Sequence, residues 1–298
     1  MEILEIKGNT FCLDTGMTNI PFYKLDQRRI IMLDTGWAAG ERSLLKDFLQ
    51  QNSFTVAGII NSHAHIDHCG NNAYLKEHFG CPVAMPAAEA TICESLLNLK
   101  LYYSAFSLKE IREHLGHMIC HVDCPVTTDR ESVEMGGAVF KILHTPGHSI
   151  AHVCITTPDD VAYVGDALIS HGVMRGAKMP YACVLSEDLK SKEKLRGLAC
   201  SRYIAAHRGI YDNILELVED NIEFYKLRAE KILALLVRPM TLQELALETS
   251  TSFHIGIGSV FKYNLIERML RSYLEYLTET GRIELIVKDS VLRYSRCL

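Results

Sequence analysis

The densest group of chemically active side chains lies in residues 63–68, which read His-Ala-His-Ile-Asp-His. Four of these six residues carry metal-binding groups, and they directly follow an apolar, strand-like run at 56–60. In an extended chain the first, third and fifth residues point to one side, and a turn at the sixth brings its ring into the same space. Packing these imidazoles together without a shared cation is unfavourable, so the segment predicts a metal site.

Three further candidate ligands, His148, Asp166 and His207, each follow a short apolar run and lie beside a glycine or proline, or within two residues of one. Taken singly, each has a structural explanation, as a buried histidine or as a turn or helix-capping aspartate. Together they place metal-binding groups at several strand ends, which is where sites form in open α/β sheets. The joint pattern predicts that they share one site with residues 63–68.

The elements that must position these residues alternate between strands and helices as far as about residue 210. Strands are expected at 3–6, 10–13, 20–25, 30–33 and 56–60, and helices at 41–51, 71–79 and within 87–117. Alternation of this kind is typical of a layered α/β architecture.

The pattern changes after residue 214, where a long helical segment leads to further helices and two short strands. This order predicts a small winged-helix-like domain at 229–298 behind a catalytic domain at 1–228. The expected outward positions of its last helix carry mixed charges: Glu267, Arg268, Arg271, Glu275 and Glu279. A DNA-reading helix is plainly basic, so nucleic acid is not the favoured partner. We expect the tail to cap the site or to form a homodimer surface.

Composition sets further bounds on the 298-residue chain. The formal net charge is -5, and no apolar run approaches the ~20 residues that span a bilayer. The acidic N-terminal residues do not resemble a signal peptide, so we expect a cytoplasmic protein with no membrane partner. The ten cysteines are scattered without a CxxC pair, which favours free thiols over disulfides. Cys69 is either a buried filler or a redox-sensitive thiol beside a metal.

Four features, in chain order, resemble the metallo-β-lactamase superfamily in its glyoxalase II-like branch. They are the HxHxDH segment, Thr-Pro-Gly-His-Ser, Gly-Asp-Ala-Leu and a strand-terminal histidine. The resemblance covers about residues 1–225 and implies an αββα sandwich with the site along one edge. It also implies one metal ion on His63, His65 and His148, a second on Asp67, His68 and His207, and Asp166 bridging both. Asp34 is implied to be a supporting residue rather than a ligand.

This ligand set suits two zinc ions, with iron or manganese as alternatives. A water held between paired metals ionises near neutral pH. We therefore expect a metal-bound hydroxide, steadied by Asp67, to attack a small ester, thioester or related acyl substrate. In the loop after Asp166, contacts with the substrate are expected from His171, Arg175, Lys178 and Tyr181. The alternative is an ordinary polar surface loop.

Three other functions stay open. A metal-dependent phosphodiesterase or ribonuclease would use the tail to hold nucleic acid, although no β-CASP insertion of the family's large RNA nucleases is evident. A non-catalytic protein that uses the fold as a ligand sensor is a second possibility, and the complete set of metal ligands argues against it. A mono-iron sulfur dioxygenase on the same scaffold would hold a single iron. The tail also differs from the helical glutathione-binding domain of glyoxalase II, and His207-Arg208-Gly209 replaces the commoner His-Gly.

Overall fold

The computed structural model describes residues 1–297, which form two β-sheets packed face to face, helices on both outer faces and a C-terminal hairpin. The first sheet contains β1 (Glu2–Lys7), β2 (Thr10–Asp14), β3 (Asn19–Lys24), β4 (Arg29–Leu33), β5 (Thr55–Ile60), β6 (Val83–Pro86) and β7 (Cys124–Val126). The second contains β8 (Ser132–Met135), β9 (Ala138–His144), β10 (Val153–Thr156), β11 (Val161–Gly165), β12 (Arg202–Ala205) and β13 (Gly209–Tyr211), and the hairpin is β14 (Ile283–Lys288) and β15 (Val291–Arg296). The helices are α1 (Ala38–Gln51), α2 (Ile66–Cys69), α3 (Asn72–Phe79), α4 (Ala87–Cys93), α5 (Leu96–Tyr102), α6 (Leu108–Leu115), α7 (His171–Met174), α8 (Leu185–Leu195), α9 (Leu215–Leu235), α10 (Leu242–Ser252) and α11 (Val260–Glu279).

Alternation of side chains along the strands creates the layers. In β4, Ile31 and Leu33 pack between the two sheets, where they join Phe140 of β9. Ile30 and Met32 of the same strand pack on the other side, in the cluster that includes α1 and α3. The outer face of the second sheet is covered by α8, α9 and α11. The expected mixed α/β fold, with helices flanking the sheets, is confirmed.

Strand direction explains why the candidate ligands meet. β11 is parallel to β12, and β9 runs the same way as β11 because each is antiparallel to β10. The carboxyl ends of these three strands therefore open on one edge, where β5 of the other sheet also ends. Residues 63–68 follow β5, His148 follows β9, Asp166 follows β11 and His207 follows β12.

The extended conformation expected as far as Asp67 is wrong, because α2 begins directly after His65. The backbone N–H groups of His68 and Cys69 both donate to the carbonyl of His65 at 3.0 Å, which closes a helical turn. His63 and His65 thus precede the turn, while Asp67 and His68 lie on it. The short helix, rather than the period of a strand, turns these side chains toward a common space.

The C-terminal helices share a core with the second sheet. α9 is continuous through residue 228, the predicted domain boundary. One apolar cluster joins Val164 of β11 to Leu233 of α9, Leu270 of α11 and Ile283 of β14. The division into two domains stays a prediction. In the described part of the chain, no helix combines the length and the apolar character that crossing a bilayer requires.

Candidate metal centre

Three imidazoles meet at the edge of the sandwich, after β5 and β9. Nε2 of His63 lies 2.8 Å from Nδ1 of His65, and Nε2 of His148 lies 3.0 Å from the same atom. The rings are steeply inclined to one another, with interplanar angles of 81°, 88° and 70°. Ring edges rather than ring faces therefore approach a common centre. These three nitrogens form the first triad of candidate ligands.

A second triad consists of Asp67, His68 and His207. Oδ2 of Asp67 lies 3.4 Å from Nε2 of His207 and 3.9 Å from Nε2 of His68. Two of these residues come from α2 and the third follows β12, so only the folded chain brings them together.

Asp166 lies between the two triads. Its Oδ2 is 3.3 Å from Nε2 of His148 and 3.4 Å from Nε2 of His68, and its Oδ1 is 3.5 Å from Nε2 of His207. One carboxylate therefore reaches nitrogen atoms of both triads, which is the position that a bridging ligand would need.

Hydrogen bonds on the far side of the rings determine which nitrogen carries the proton. The Ser62 hydroxyl donates to Oδ2 of Asp34 at 2.6 Å, so its oxygen accepts the Nδ1–H of His63 at 2.9 Å. The Nδ1–H of His68 donates to the same carboxylate at 2.8 Å. Nδ1 of each ring is thus the nitrogen held by the supporting hydrogen bond, which leaves Nε2 as the atom that can bind a metal ion. Asp34 is close enough to form a third donor group with these histidines, but its oxygens are occupied by hydrogen bonds.

Burial and charge distinguish the two triads. Burial and the neighbouring imidazoles hold the pKa of His63 well below its usual value, and burial lowers the pKa of His65 to about 4. Burial also acts to lower the pKa of His207, but the carboxylates of Asp166 and Asp67 outweigh it and raise that pKa to about 11. Burial likewise acts to lower the pKa of His68, but the carboxylates of Asp166, Asp67 and Asp34 outweigh it and raise that pKa well above its usual value. At pH 7 the first triad is therefore neutral without a metal ion, whereas the second holds protons that a metal ion must displace.

Glu89 of α4, which no sequence pattern singles out, connects the loops that carry the first triad. Its Oε2 accepts the backbone N–H of Ala64 at 3.0 Å. Its Oε1 accepts the hydroxyl of Ser149 at 2.6 Å and the backbone N–H of Ala151 at 2.8 Å. Ala64 lies between the first two histidines of this triad and Ser149 directly follows the third. The fully buried Glu89 side chain thus fixes the two loops relative to each other.

The centre opens into a cavity of ≈ 330 Å³ with mostly apolar walls. Its walls include Tyr103, Phe106, Leu115 and Tyr181 and, from α11, Phe261, Leu265 and Arg268. The outward position expected for Arg268 is wrong: the residue is half-buried and lines the cavity. The opposite face of α11, with Leu270 and Tyr273, packs into the core, and this turns Arg268 toward the centre.

The loop between β11 and α8 carries the predicted contacts with the substrate, and one of the four reaches the cavity. Tyr181 lines it, with its ring centroid 5.4 Å from the rings of two histidines of the first triad. His171 instead faces Asp220, with 2.7 Å between Nε2 and Oδ2. The residues that line this cavity do not include Arg175, Lys178 or His171.

Known proteins resemble the chain in sequence and in structure. A hydroxyacylglutathione hydrolase of Marinomonas sp. (strain MWYL1) is 26% identical over 230 residues, which cover 72% of this chain and 74% of that protein. An atrochrysone carboxyl ACP thioesterase of Aspergillus fumigatus is 23% identical over 232 residues, 77% of this chain and 60% of that protein. Two further hydroxyacylglutathione hydrolases are matched over 39% and 46% of their lengths.

Among solved structures, a metallo-beta-lactamase family protein of Thermus thermophilus aligns with a TM-score of 0.70 at 22% identity, covering 94% of each chain. This similarity concerns the fold and extends into the C-terminal helices. The sequence model that describes the metallo-beta-lactamase superfamily matches residues 13–207 of this chain. That span contains both triads and Asp166. The chain therefore belongs to the metallo-beta-lactamase superfamily and is a metal-dependent hydrolase.

Proposed function

We propose that this chain hydrolyses small acyl thioesters at a pair of divalent metal ions, with zinc as the native metal. The observation that carries the proposal is the pair of triads that meet at Asp166 beside a mostly apolar cavity. A volume of ≈ 330 Å³ is within the range of pockets that hold small molecules.

The donor atoms fit such a metal pair. Imidazole nitrogens and carboxylates are ligands that zinc accepts, with iron and manganese as alternatives. Within the described residues, Nε2 of His68 and Oδ1 of Asp166 are buried without a hydrogen-bond partner. Buried polar atoms are normally paired, and because Oδ1 of Asp166 faces His207, a cation at the second triad would pair both.

A metal pair held by the two triads and Asp166 would supply an ionised water near neutral pH and would polarise the scissile carbonyl. Asp67 is the residue we assign to orienting the attacking water. Its carboxylate lines the cavity, and although burial acts to raise its pKa, the neighbouring His68 and His207 outweigh this and keep it ionised. Tyr181 is assigned to the substrate oxygen, because burial raises its pKa and the phenol stays a hydrogen-bond donor.

The relatives support a thioester as the scissile bond. The Marinomonas protein is named a hydroxyacylglutathione hydrolase and the Aspergillus protein an ACP thioesterase. Both names describe hydrolysis of an acyl–sulfur bond. The apolar wall of the cavity would take the acyl part of such a substrate.

We assign residues 229–298 to a winged-helix-like segment that forms a wall of the active site. In winged-helix proteins that read DNA, the third helix enters the major groove. Here α11 has that place in the chain, but its Phe261, Leu265 and Arg268 line the cavity. This face of α11 is thus not free to enter the major groove of DNA, which favours a small substrate over nucleic acid.

The test is hydrolysis of a panel of acyl thioesters by the zinc-loaded protein, with single-stranded RNA assayed in parallel. We expect thioester turnover that is lost in Asp166→Ala and His65→Ala. His144→Ala is the matched control, because His144 lies outside the cavity and its Nε2 contacts the carbonyl of Arg130. Cleavage of RNA without thioester turnover, or full activity of Asp166→Ala, would contradict the proposal.

A further inference from the structure

Arg268 of α11 is surrounded by tyrosine rings beside the metal-binding residues. Its guanidinium carbon lies 4.4 Å from the ring centre of Tyr102, 5.1 Å from that of Tyr103 and 5.4 Å from that of Tyr181. The Tyr102 hydroxyl in turn lies 3.3 Å from Nε2 of His65. One tyrosine therefore separates the guanidinium from the first triad, and the rings hold the cation in place.

The charge of Arg268 has no carboxylate within ion-pairing distance among residues 1–297. Glu267, its neighbour in the chain, is paired with Arg271 at 2.9 Å. Glu89 is occupied by three donors from the histidine-bearing loops. Aromatic rings cover the faces of a guanidinium, whereas its five N–H donors point outward in the plane and require acceptors. No carboxylate among residues 1–297 supplies these acceptors, so the N–H donors of Arg268 are open to an anion from outside the chain.

The cavity therefore combines one cation with an apolar wall. Arg268 is the only lysine or arginine among the described residues that line it. A guanidinium edge pairs with a carboxylate through two parallel hydrogen bonds. A doubly charged phosphate fits less well, because the cavity offers a single arginine and also contains the carboxylates of Asp67 and Asp166.

We propose that the acyl part of the substrate carries a carboxylate in addition to the scissile thioester, and that Arg268 binds this carboxylate. The substrate class is thus the monothioester of a dicarboxylic acid. This inference rests on the proposed thioesterase function and adds the residue that determines specificity. The departing thiol would then leave along a groove of ≈ 550 Å³ that is lined by Trp37 and Arg42 and shares Ile66 and Phe261 with the cavity.

The test compares two S-phenyl thioesters of equal shape. One is the S-phenyl monothioester of glutaric acid, and in the other a neutral carboxamide replaces the free carboxylate. With the zinc-loaded wild-type protein, kcat/KM should be at least about 10-fold higher for the acid, mainly through a lower KM. Arg268→Met should abolish this preference while the zinc content stays that of the wild type, and Arg268→Lys should keep part of it. Arg271→Met, which removes a cation from the same helix outside the cavity, should keep the full preference.

Equal kcat/KM values for the two thioesters in the wild type, or a preference that survives Arg268→Met, would overturn the inference and leave the proposed function standing. If neither thioester is cleaved, the proposed function fails, and ligand binding decides the inference. Calorimetry on the zinc-loaded protein should then show hydrocinnamate binding at least about 10-fold more tightly than hydrocinnamamide, with the difference lost in Arg268→Met. Equal affinities in the wild type would overturn the inference.

Discussion

Oδ2 of Asp34 lies 2.8 Å from Nδ1 of His68 and also accepts the hydroxyl groups of Ser62 and Tyr163 at 2.6 and 2.7 Å. The Ser62 hydroxyl accepts in turn from His63. One buried carboxylate thus sets the orientation of one histidine in each triad, while its own oxygens are occupied by hydrogen bonds.

Asp34→Asn should weaken metal binding without disturbing the backbone. Asp34 has a φ of 63°, a conformation that asparagine tolerates. The NH₂ of asparagine is itself a donor, so it cannot accept the hydrogen bonds that the Asp34 carboxylate accepts. The loss of such a supporting contact typically lowers metal affinity about 10–100-fold. Competition with a chromophoric chelator measures this affinity. An Asp34→Asn protein that holds both ions as tightly as the wild type would refute the role assigned to Asp34.

Glu89→Gln should loosen the first triad and reduce stability. All three partners of Glu89 are donors, so the NH₂ of glutamine would face a donor and leave it unpaired. We expect the free energy of unfolding to fall by about 1–3 kcal/mol, measured in urea, together with a lower affinity for the first metal ion. The control is Glu94→Gln, an exposed residue at the end of the same helix, which should behave like the wild type.

Gly147→Ala should displace His148. Gly147 has a φ of +128°, and an added Cβ would lie 2.0 Å from the backbone nitrogen and 2.2 Å from the Cα of Asp188. Because the obstacle is backbone, α8 or the loop before His148 must move, which costs about 1–3 kcal/mol or more. Urea unfolding and zinc content measure the effect. Gly197→Ala, which meets no atom closer than 3.6 Å, is the control, and equal losses in both variants would argue against this explanation.

Binding of the two metal ions should differ in proton release. At pH 7, below the pKa of about 11 that Asp166 and Asp67 give His207, its ring is protonated and must lose that proton to bind metal. His63 and His65, whose pKa values are lowered, have no proton to lose. The affinity of the second triad should therefore rise with pH between about 6 and 8, while that of the first stays nearly constant.

Calorimetric titration of the metal-free protein in buffers of different ionisation enthalpy measures these protons directly. The first ion should release fewer protons than the second, and His207→Ala should reduce the difference without abolishing it, because the pKa of His68 is raised as well. Equal proton release for both ions would contradict the assignment of charge to the two triads.

The sequence predicted the mixed α/β fold and the places of the seven candidate ligands at strand ends, because both follow from local signals. Strand alternation sets the layers, and metal-binding residue types cluster visibly within residues 63–68. The ligand roles themselves stay predictions until metal binding is measured.

Other features depend on contacts between distant segments and could not be predicted in this way. Glu89 resembles any acidic helical residue until it meets Ala64 and Ser149, 25 and 60 positions away in the chain. Arg268 sits in a helix with mixed charges, and only the packing of α11 on the second sheet turns it toward the cavity. The helical position of Asp67 arises from a single turn that is too short to give a periodic signal.

The most direct measurement of the central claim is thioester turnover during titration of the metal-free protein with zinc. We predict that activity rises to a plateau at two equivalents of zinc per chain, and that Asp166→Ala, which removes the residue shared by both triads, shows no activity at any zinc concentration. Full activity without metal, or a plateau that Asp166→Ala reaches equally well, would contradict hydrolysis at this paired centre.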